Sequence, residues 1–171
     1  MRSIDELIRT ISDFPKPGIQ FKDITPLLQD AAFCSQWVQD QADILRPLQI
    51  EAVAGIESRG FLFGMLLAQA LQCPFVPIRK KGKLPAAVYQ VEYALEYGTD
   101  VLEMHQDALK PNQRVLVHDD VLATGGTALA AQQLIKQASA STVAVHVIIE
   151  LGFLQAAQRF PEVPVFSGIT Y

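Results

Sequence analysis

The chain has 171 residues, of which half are apolar and 19% are charged, a composition that suits a globular protein with a sizeable core. Its formal net charge of −4 at pH 7 argues against a large nucleic-acid-binding surface. Any anion that the protein binds must therefore be held by a local cluster of donors rather than by the field of the whole molecule.

Cysteine usage and hydropathy point to an intracellular protein. Cys34 and Cys73 lie far apart without Cys-x-x-Cys spacing, which is typical of reduced core residues. No apolar run reaches membrane-spanning length, and Asp5 and Glu6 stand where a signal peptide would have its apolar core. Without repeats or linkers in the sequence, we expect one soluble, cytoplasmic domain over residues 1–171.

Two helices are predicted in the first 45 residues. Ser3 and Glu6 form a capping-box pattern, and apolar residues follow at helical spacing up to Ile11. This first helix should end at the turn-forming segment FPKPG, residues 14–18. The second helix is predicted over residues 31–45, with three residues facing inward: Phe33, Trp37 and Leu45.

From residue 52 onward, short apolar runs alternate with helical stretches. Strands are predicted at residues 52–56, 75–78, 115–117 and 143–149, and helices at 61–71 and 127–138. Because these strands are continuously apolar, both of their faces should be covered, as in a parallel sheet under helices. The pattern predicts an α/β fold, in which ligands bind at the carboxyl ends of the strands.

The segment VLVHDDVLATGGT, residues 115–127, combines features that suit anion binding. A buried strand delivers two acids, Asp119 and Asp120, and a glycine-bearing loop then opens a helix. Such a loop brings several backbone N–H groups to one anion, and the helix N-terminus adds donors and partial positive charge. The pattern predicts a phosphate cradle of five residues: Ala123, Thr124, Gly125, Gly126 and Thr127.

This loop differs from the two common nucleotide-binding motifs. It lacks the lysine of Gly-x-x-x-x-Gly-Lys-Ser/Thr, and the dinucleotide fingerprint has no paired acids ahead of its glycines. Adjacent carboxylates are poor phosphate ligands but good acceptors for ribose hydroxyls, and they influence Mg²⁺ through water. The structural alternative is a helix-capping acid pair beside a simple glycine turn.

The segment 115–127 resembles the phosphoribosyl pyrophosphate (PRPP) motif of type I phosphoribosyltransferases, and its LATGGT ending is similar to their adenine branch. Four further segments match in family order: FPKPG at 14–18, SRGF at 58–61, RKKGKLP at 79–85 and LEYG at 95–98. The resemblance implies a mostly parallel central sheet with helices on both faces, a small N-terminal hood segment and a flexible lid loop. It also implies conversion of adenine and PRPP to AMP and pyrophosphate.

The resemblance assigns the phosphate groups of PRPP to particular residues. The loop 123–127 would hold the 5-phosphate, and Asp119 and Asp120 the ribose hydroxyls. Pyrophosphate would be bound by six residues: Glu57, Ser58, Arg59, Arg79, Lys80 and Lys83. The family often has a strained peptide between the first two of these, and a guanidinium such as that of Arg59 forks two donors at one anion. The alternative interpretation of the basic run 79–83 is a solvated loop without a binding role.

The resemblance also places the purine. Adenine would lie against Gln20, Phe21 and Lys22, with the Phe21 ring stacked on the base. Glu96 would be a catalytic carboxylate that accepts the adenine proton or orients one on N7, and Tyr97 would close over the ribose. Arg59 is the second residue with an expected catalytic role, as a clamp on pyrophosphate oxygens. The segment 81–98 is expected to be a mobile lid, although its strand-forming residues also permit a hairpin.

Further expectations concern metals, partners and rival functions. The family implies Mg²⁺ held mainly through PRPP and water, and a homodimer. His118 stands where the family usually has an aliphatic residue, so we expect a packed or hydrogen-bonded histidine that points away from Asp119. His105 and His146 are isolated in sequence, which argues against a zinc site. The rival readings are a phosphoribosyltransferase for another base and a non-catalytic PRPP-sensing regulator.

Overall fold

The computed structural model describes residues 2–94 and 98–171. Within these ranges the strands are β1 Arg9–Ser12, β2 Gln20–Asp23, β3 Ala52–Ile56, β4 Phe75–Lys80, β5 Val88–Ala94, β6 Thr99–His105, β7 Arg114–Leu122, β8 Ser141–Glu150 and β9 Val165–Thr170. The α-helices are α1 Thr25–Leu28, α2 Ala31–Leu45, α3 Gly60–Ala70 and α4 Gly126–Gln137. Short 3-10 helices span Asp5–Leu7, Arg46–Leu48, Gly152–Leu154 and Ala156–Arg159. No helix in these ranges is long and apolar enough to cross a membrane.

The central sheet is mostly parallel, as predicted. Its seven strands run in the order β5-β6-β4-β3-β7-β8-β9. The four pairs β4–β3, β3–β7, β7–β8 and β8–β9 are parallel, whereas β6 is antiparallel to both β4 and β5. β1 and β2 form a separate antiparallel sheet, which corresponds to the expected hood.

Two apolar layers cover the faces of the sheet, and β3 shows how one strand serves both. Ala52, Ala54 and Ile56 belong to the cluster that includes α4, whereas Val53 belongs to the cluster that includes α2 and α3. All four side chains are 0–1% exposed. Burial on both sides explains why the strand is apolar at every position rather than at alternate ones.

The helix α2 spans Ala31–Leu45, as predicted. It begins where the Asp30 side chain accepts a hydrogen bond of 3.0 Å from the Phe33 N–H, a side-chain cap of the first turn. Trp37 and Leu45 are buried and Phe33 is half-buried, so the inward-facing stripe is confirmed.

The predicted first helix is wrong. Only Asp5–Leu7 forms a helical turn, without a side-chain cap, and the chain then enters β1. β1 pairs with β2, and an ion pair of 2.6 Å between Arg9 and Asp23 joins the two strands. Pairing with a distant segment overrides the helical spacing, helped by β-branched residues that favour strands.

The expected lid, residues 81–98, is not one continuous loop. Its residues 88–94 form β5, which pairs with β6 from Val88 opposite His105 to Ala94 opposite Thr99. Val91 and Tyr93 are buried in the same apolar cluster as α4, which ties this strand to the core. The hairpin that the sequence permits is therefore present.

Candidate active site

A cleft of about 380 Å³ opens at the carboxyl ends of β3, β4 and β7, where the sequence places the site. It brings together the following predicted site residues: Gln20, Phe21, Lys22, Glu57, Ser58, Arg59, Lys80, Asp119, Asp120, Ala123 and Thr127. Ile19, Val121 and Leu151 complete its lining and were not predicted. Leu151 directly follows β8, so the rule about strand ends could have found it.

The loop 123–127 joins β7 to α4 and borders a second, smaller cavity. Gly125 has a φ of +81°, the left-handed conformation that favours glycine, and α4 begins at Gly126. The cavity measures about 70 Å³ and is lined in part by Thr124, Gly125 and Thr127. This volume suits a small anion, since larger ligands occupy sites of about 300 Å³ or more. The donors of a helix N-terminus thus adjoin a cavity of phosphate size.

The two acids lie within β7, which continues to Leu122 instead of ending at residue 117 as predicted. Asp120 Oδ2 lies 2.8 Å from Arg59 Nε, an ion pair, and Asp119 Oδ1 accepts the Asp120 N–H at 2.8 Å. Burial raises the pKa of both carboxyls. Repulsion from Asp120 raises the pKa of Asp119 further, whereas Arg59 opposes the rise at Asp120.

The turn after β3 brings α3 close against β7. The peptide bond between Glu57 and Ser58 is cis, at the position where the family resemblance implies an unusual peptide. A side chain at Gly60, the first residue of α3, would lie 2.9 Å from the His118 carbonyl oxygen and 3.0 Å from Asp119 Oδ1. Glycine at this position therefore allows the helix N-terminus to approach the acid pair.

Glu57 organises the basic segment across the cleft. Its Oε1 accepts from Lys83 Nζ at 2.7 Å and from Arg79 Nη2 at 3.2 Å, and its Oε2 accepts the Lys80 N–H at 2.9 Å. Burial alone would raise the pKa of Glu57, but these three donors outweigh it and lower the pKa to about 2. Arg79 and Lys83 lie outside the cleft lining and reach the site through this carboxylate.

Lys80 is held by a pair of residues that sequence reasoning missed. Its Nζ contacts the Asp100 carboxylate and donates to the Tyr93 hydroxyl at 2.8 Å. Both partners come from the β5–β6 hairpin, so the local sequence pattern around Lys80 does not predict them. Glu96 and Tyr97, the predicted base-side carboxylate and ribose cover, lie outside the described residues.

The hood brings Phe21 to the cleft. The Phe21 ring lies 5.0 Å from the Arg59 guanidinium and packs edge-on against Phe14 at 5.1 Å between ring centroids. Lys22 Nζ donates to Thr10 Oγ1 at 3.0 Å within the hood. Phe21 therefore lines the cleft beside Arg59, the residue that pairs with Asp120.

His118 is a buried, hydrogen-bonded strand residue, as predicted, and its partner is His146, which is distant from it in the sequence. His118 Nδ1 lies 3.0 Å from both the Nδ1 and the carbonyl oxygen of His146, and His146 Nε2 lies 3.1 Å from Gln41 Oε1. Burial lowers the pKa of His118 to about 4, and it also lowers that of His146. Both rings are therefore neutral near pH 7.

Comparison with known proteins shows the family of this chain. A family model described as phosphoribosyl transferase domain matches residues 19–169. The chain is 54% identical over 158 residues to an adenine phosphoribosyltransferase of Cytophaga hutchinsonii, covering 92% of this chain and 87% of that protein. The crystal structure of adenine phosphoribosyltransferase from Thermoanaerobacter pseudethanolicus matches with a TM-score of 0.95 at 44% identity, covering 98% of each chain. The enzyme of Saccharomyces cerevisiae, complexed with D-2,5-dideoxy-2,5-imino-altritol 1,6-bisphosphate and adenine, matches with a TM-score of 0.91 at 34% identity, covering 97% of this chain and 96% of that one.

The fold, the cleft and the family match define a phosphoribosyltransferase of the type I class. Within that class the chain belongs to the adenine phosphoribosyltransferases, transferases that convert adenine and PRPP to AMP and pyrophosphate in purine salvage. These findings give no support to a regulator or to an enzyme for another base.

Proposed function

We propose that PRPP lies across the two adjoining cavities, with its 5-phosphate at the loop 123–127 and its pyrophosphate beside Arg59 and Lys80. The observation that carries this proposal is a shared wall: Asp119, Ala123 and Thr127 line both cavities. A phosphate-sized cavity and a basic cleft thus adjoin at Asp119, and the cleft also contains its neighbour Asp120. That pair is well placed to accept the ribose hydroxyls between them.

In this arrangement the four basic residues act on the leaving group. Arg59, Arg79, Lys80 and Lys83 each contact a carboxylate in the free protein, which orders them before substrate arrives. As the bond from ribose C1 to pyrophosphate breaks, negative charge grows on pyrophosphate, and preorganised cations stabilise it. Glu57 serves here by holding Arg79 and Lys83 rather than by touching an anion.

Adenine is proposed to bind at the hood, with Phe21 stacked on its ring and the backbone of Gln20 and Lys22 bonding its polar edge. β2 pairs only with β1 among the described residues, so one of its edges keeps backbone N–H and C=O groups free. The yeast relative, as crystallised, contains adenine. Glu96 and Tyr97 keep the roles that the family resemblance implies, the first at the base and the second over the ribose.

Mg²⁺ is the proposed cofactor. The described residues contain no group of three or more His, Cys, Asp or Glu side chains able to form a complete metal site. A carboxylate pair on the cleft wall fits a metal that is held mainly by PRPP oxygens and water, with Asp119 and Asp120 as its protein neighbours. When bound, the metal would add positive charge beside the pyrophosphate.

A homodimer in the cytoplasm completes the proposal. The outward face of α3 exposes Leu62, Met65 and Leu66 to 45%, 54% and 40%. Together with Leu28 and Val38 they line an apolar groove of about 690 Å³ between α2 and α3. Exposed apolar surface of this kind marks protein interfaces, and a second copy of the chain would cover it.

The decisive experiment measures AMP and pyrophosphate from purified protein, adenine and PRPP. We expect turnover with Mg²⁺, loss of turnover in excess chelator, and recovery when Mg²⁺ is restored. Adenine should exceed hypoxanthine in kcat/KM by at least about 100-fold, because a pocket built for an amino donor leaves polar groups unpaired against a 6-oxo purine. Full activity in chelator would exclude the metal, and equal kcat/KM values would exclude the proposed base contacts.

A further inference from the structure

The 3-10 helix Ala156–Arg159 packs against the phosphate loop 123–127, and we call it the backing helix. A side chain at Gly125 would meet the Ala156 Cβ at 3.4 Å and the Arg159 Cδ at 3.6 Å. Arg159 Nη1 donates a hydrogen bond of 2.7 Å to the Thr124 carbonyl oxygen. The backing helix therefore contacts the phosphate loop through Arg159, a cation that is remote from the loop in sequence.

This hydrogen bond orients the peptide between Thr124 and Gly125. In a planar trans peptide the C=O and the N–H point in opposite directions. Because the Thr124 carbonyl points at Arg159, the Gly125 N–H points away from the Arg159 guanidinium. Gly125 also lines the cavity of about 70 Å³. None of the hydrogen bonds formed by the described residues uses this N–H, which leaves it free to bind an anion.

We propose that Arg159 is a positioning residue for PRPP: through the Thr124 carbonyl it holds the Gly125 N–H towards the 5-phosphate. The inference rests on the proposed role of the loop 123–127. The loop has no lysine of its own, so its affinity for phosphate depends on the orientation of backbone donors. The guanidinium also polarises the peptide, which strengthens the N–H on its other side as a donor.

Steady-state kinetics of the full chain test this inference. Arg159→Met keeps most of the side-chain stem and removes the donors. We expect the KM for PRPP to rise about tenfold, the loss of one hydrogen bond with a charged partner, while kcat and the KM for adenine stay unchanged. Arg159→Lys should restore most of the PRPP affinity, because an ammonium also donates to a carbonyl. Arg46→Met, at an exposed arginine paired with Asp43, is the matched control and should change nothing.

Gly125→Ala separates this inference from the proposed function, since a methyl group at a φ of +81° disturbs the loop itself. If Gly125→Ala raises the KM for PRPP and Arg159→Met does not, the inference is overturned and the role of the loop stands. If neither variant changes it, both proposals fall. An Arg159→Met enzyme that weakens adenine and PRPP alike, or that lysine does not rescue, shows a merely structural role and also overturns the inference. Should Arg159→Met not fold, Arg159→Leu, which also lacks hydrogen-bond donors, replaces it with the same expectations.

Discussion

The two sides of the cleft treat their ionisable groups in opposite ways. On the side that faces β4, Glu57, in the turn after β3, accepts hydrogen bonds from three donors of β4 and the segment that follows it, and its pKa falls to about 2. On the β7 side, burial raises the pKa of Asp119 and Asp120 and lowers the pKa of His118. The first side stabilises charge in the free protein, whereas the second disfavours it. Groups whose pKa is shifted against their usual charge state are common at functional sites. We therefore expect bound substrate to stabilise the charged form of the acids on β7.

The largest test of this contrast is the pH dependence of folding at His118. Its pKa falls from 6.5 to about 4 on folding, so the unfolded chain takes up a proton at higher pH than the folded chain. Stability should therefore be complete above pH 6.5 and should drop by about 3 kcal/mol as pH falls to 4. Denaturant unfolding of wild type and His118→Val between pH 7 and pH 4 measures it. The wild type should lose more stability than the variant, and parallel losses would contradict the assignment.

A smaller effect on the free energy of unfolding is expected at Glu57, which is stabilised in its charged form rather than its neutral form. Its lowered pKa means that its contribution is present above pH 4.5 and is lost as pH falls towards 2. Because Lys83 is half exposed, water screens the cluster, and Glu57→Gln should lower the free energy of unfolding at pH 7 by roughly 1–2 kcal/mol. Glu92→Gln, at an exposed glutamate of β5, is the control. A Glu57→Gln chain as stable as wild type would remove the contrast between the two sides.

The smallest stability effect, with the opposite sign, should come from Asp119→Asn. Two carboxylates near each other repel by about 1 kcal/mol even in water-like surroundings, so we expect the variant to gain about that much at pH 7. The gain should shrink as pH falls below 3.8, because the wild-type carboxyl then becomes protonated in the unfolded chain as well as in the folded one. At the same time kcat/KM for PRPP should fall about 10- to 100-fold, because a charged acceptor for ribose is lost. A variant that loses stability, or keeps full activity, would contradict this reading.

Local sequence pattern was sufficient for the parts of this protein that depend on local burial. The continuously apolar run at β3 and the glycine pair after β7 each reveal their role within a few residues. The helix predicted near residue 8 is absent because its apolar residues are compatible with two structures: a helix, or a strand paired with β2. Only the partner strand decides between them, and it lies beyond the Pro-rich turn.

The site shows the same division. Arg59 and the loop 123–127 belong to compact motifs, and the sequence places them at strand ends. Asp100 and Arg159 reach the site from segments with no motif, so their contacts with Lys80 and Thr124 exist only once the hairpin and the backing helix have folded. Contacts between residues so far apart in the chain produce no periodic pattern in the sequence.

The chain contains a single tryptophan, and its position makes it a built-in optical probe. Trp37 is 7% exposed, packs edge-on against Phe63 at 5.0 Å and lies 5.6 Å from the ring of His146. Its emission therefore comes from the buried layer between α2 and the sheet, away from the cleft. Because a charged imidazole quenches a neighbouring indole, we expect the fluorescence to dim when acid reaches the histidine pair, before the chain unfolds.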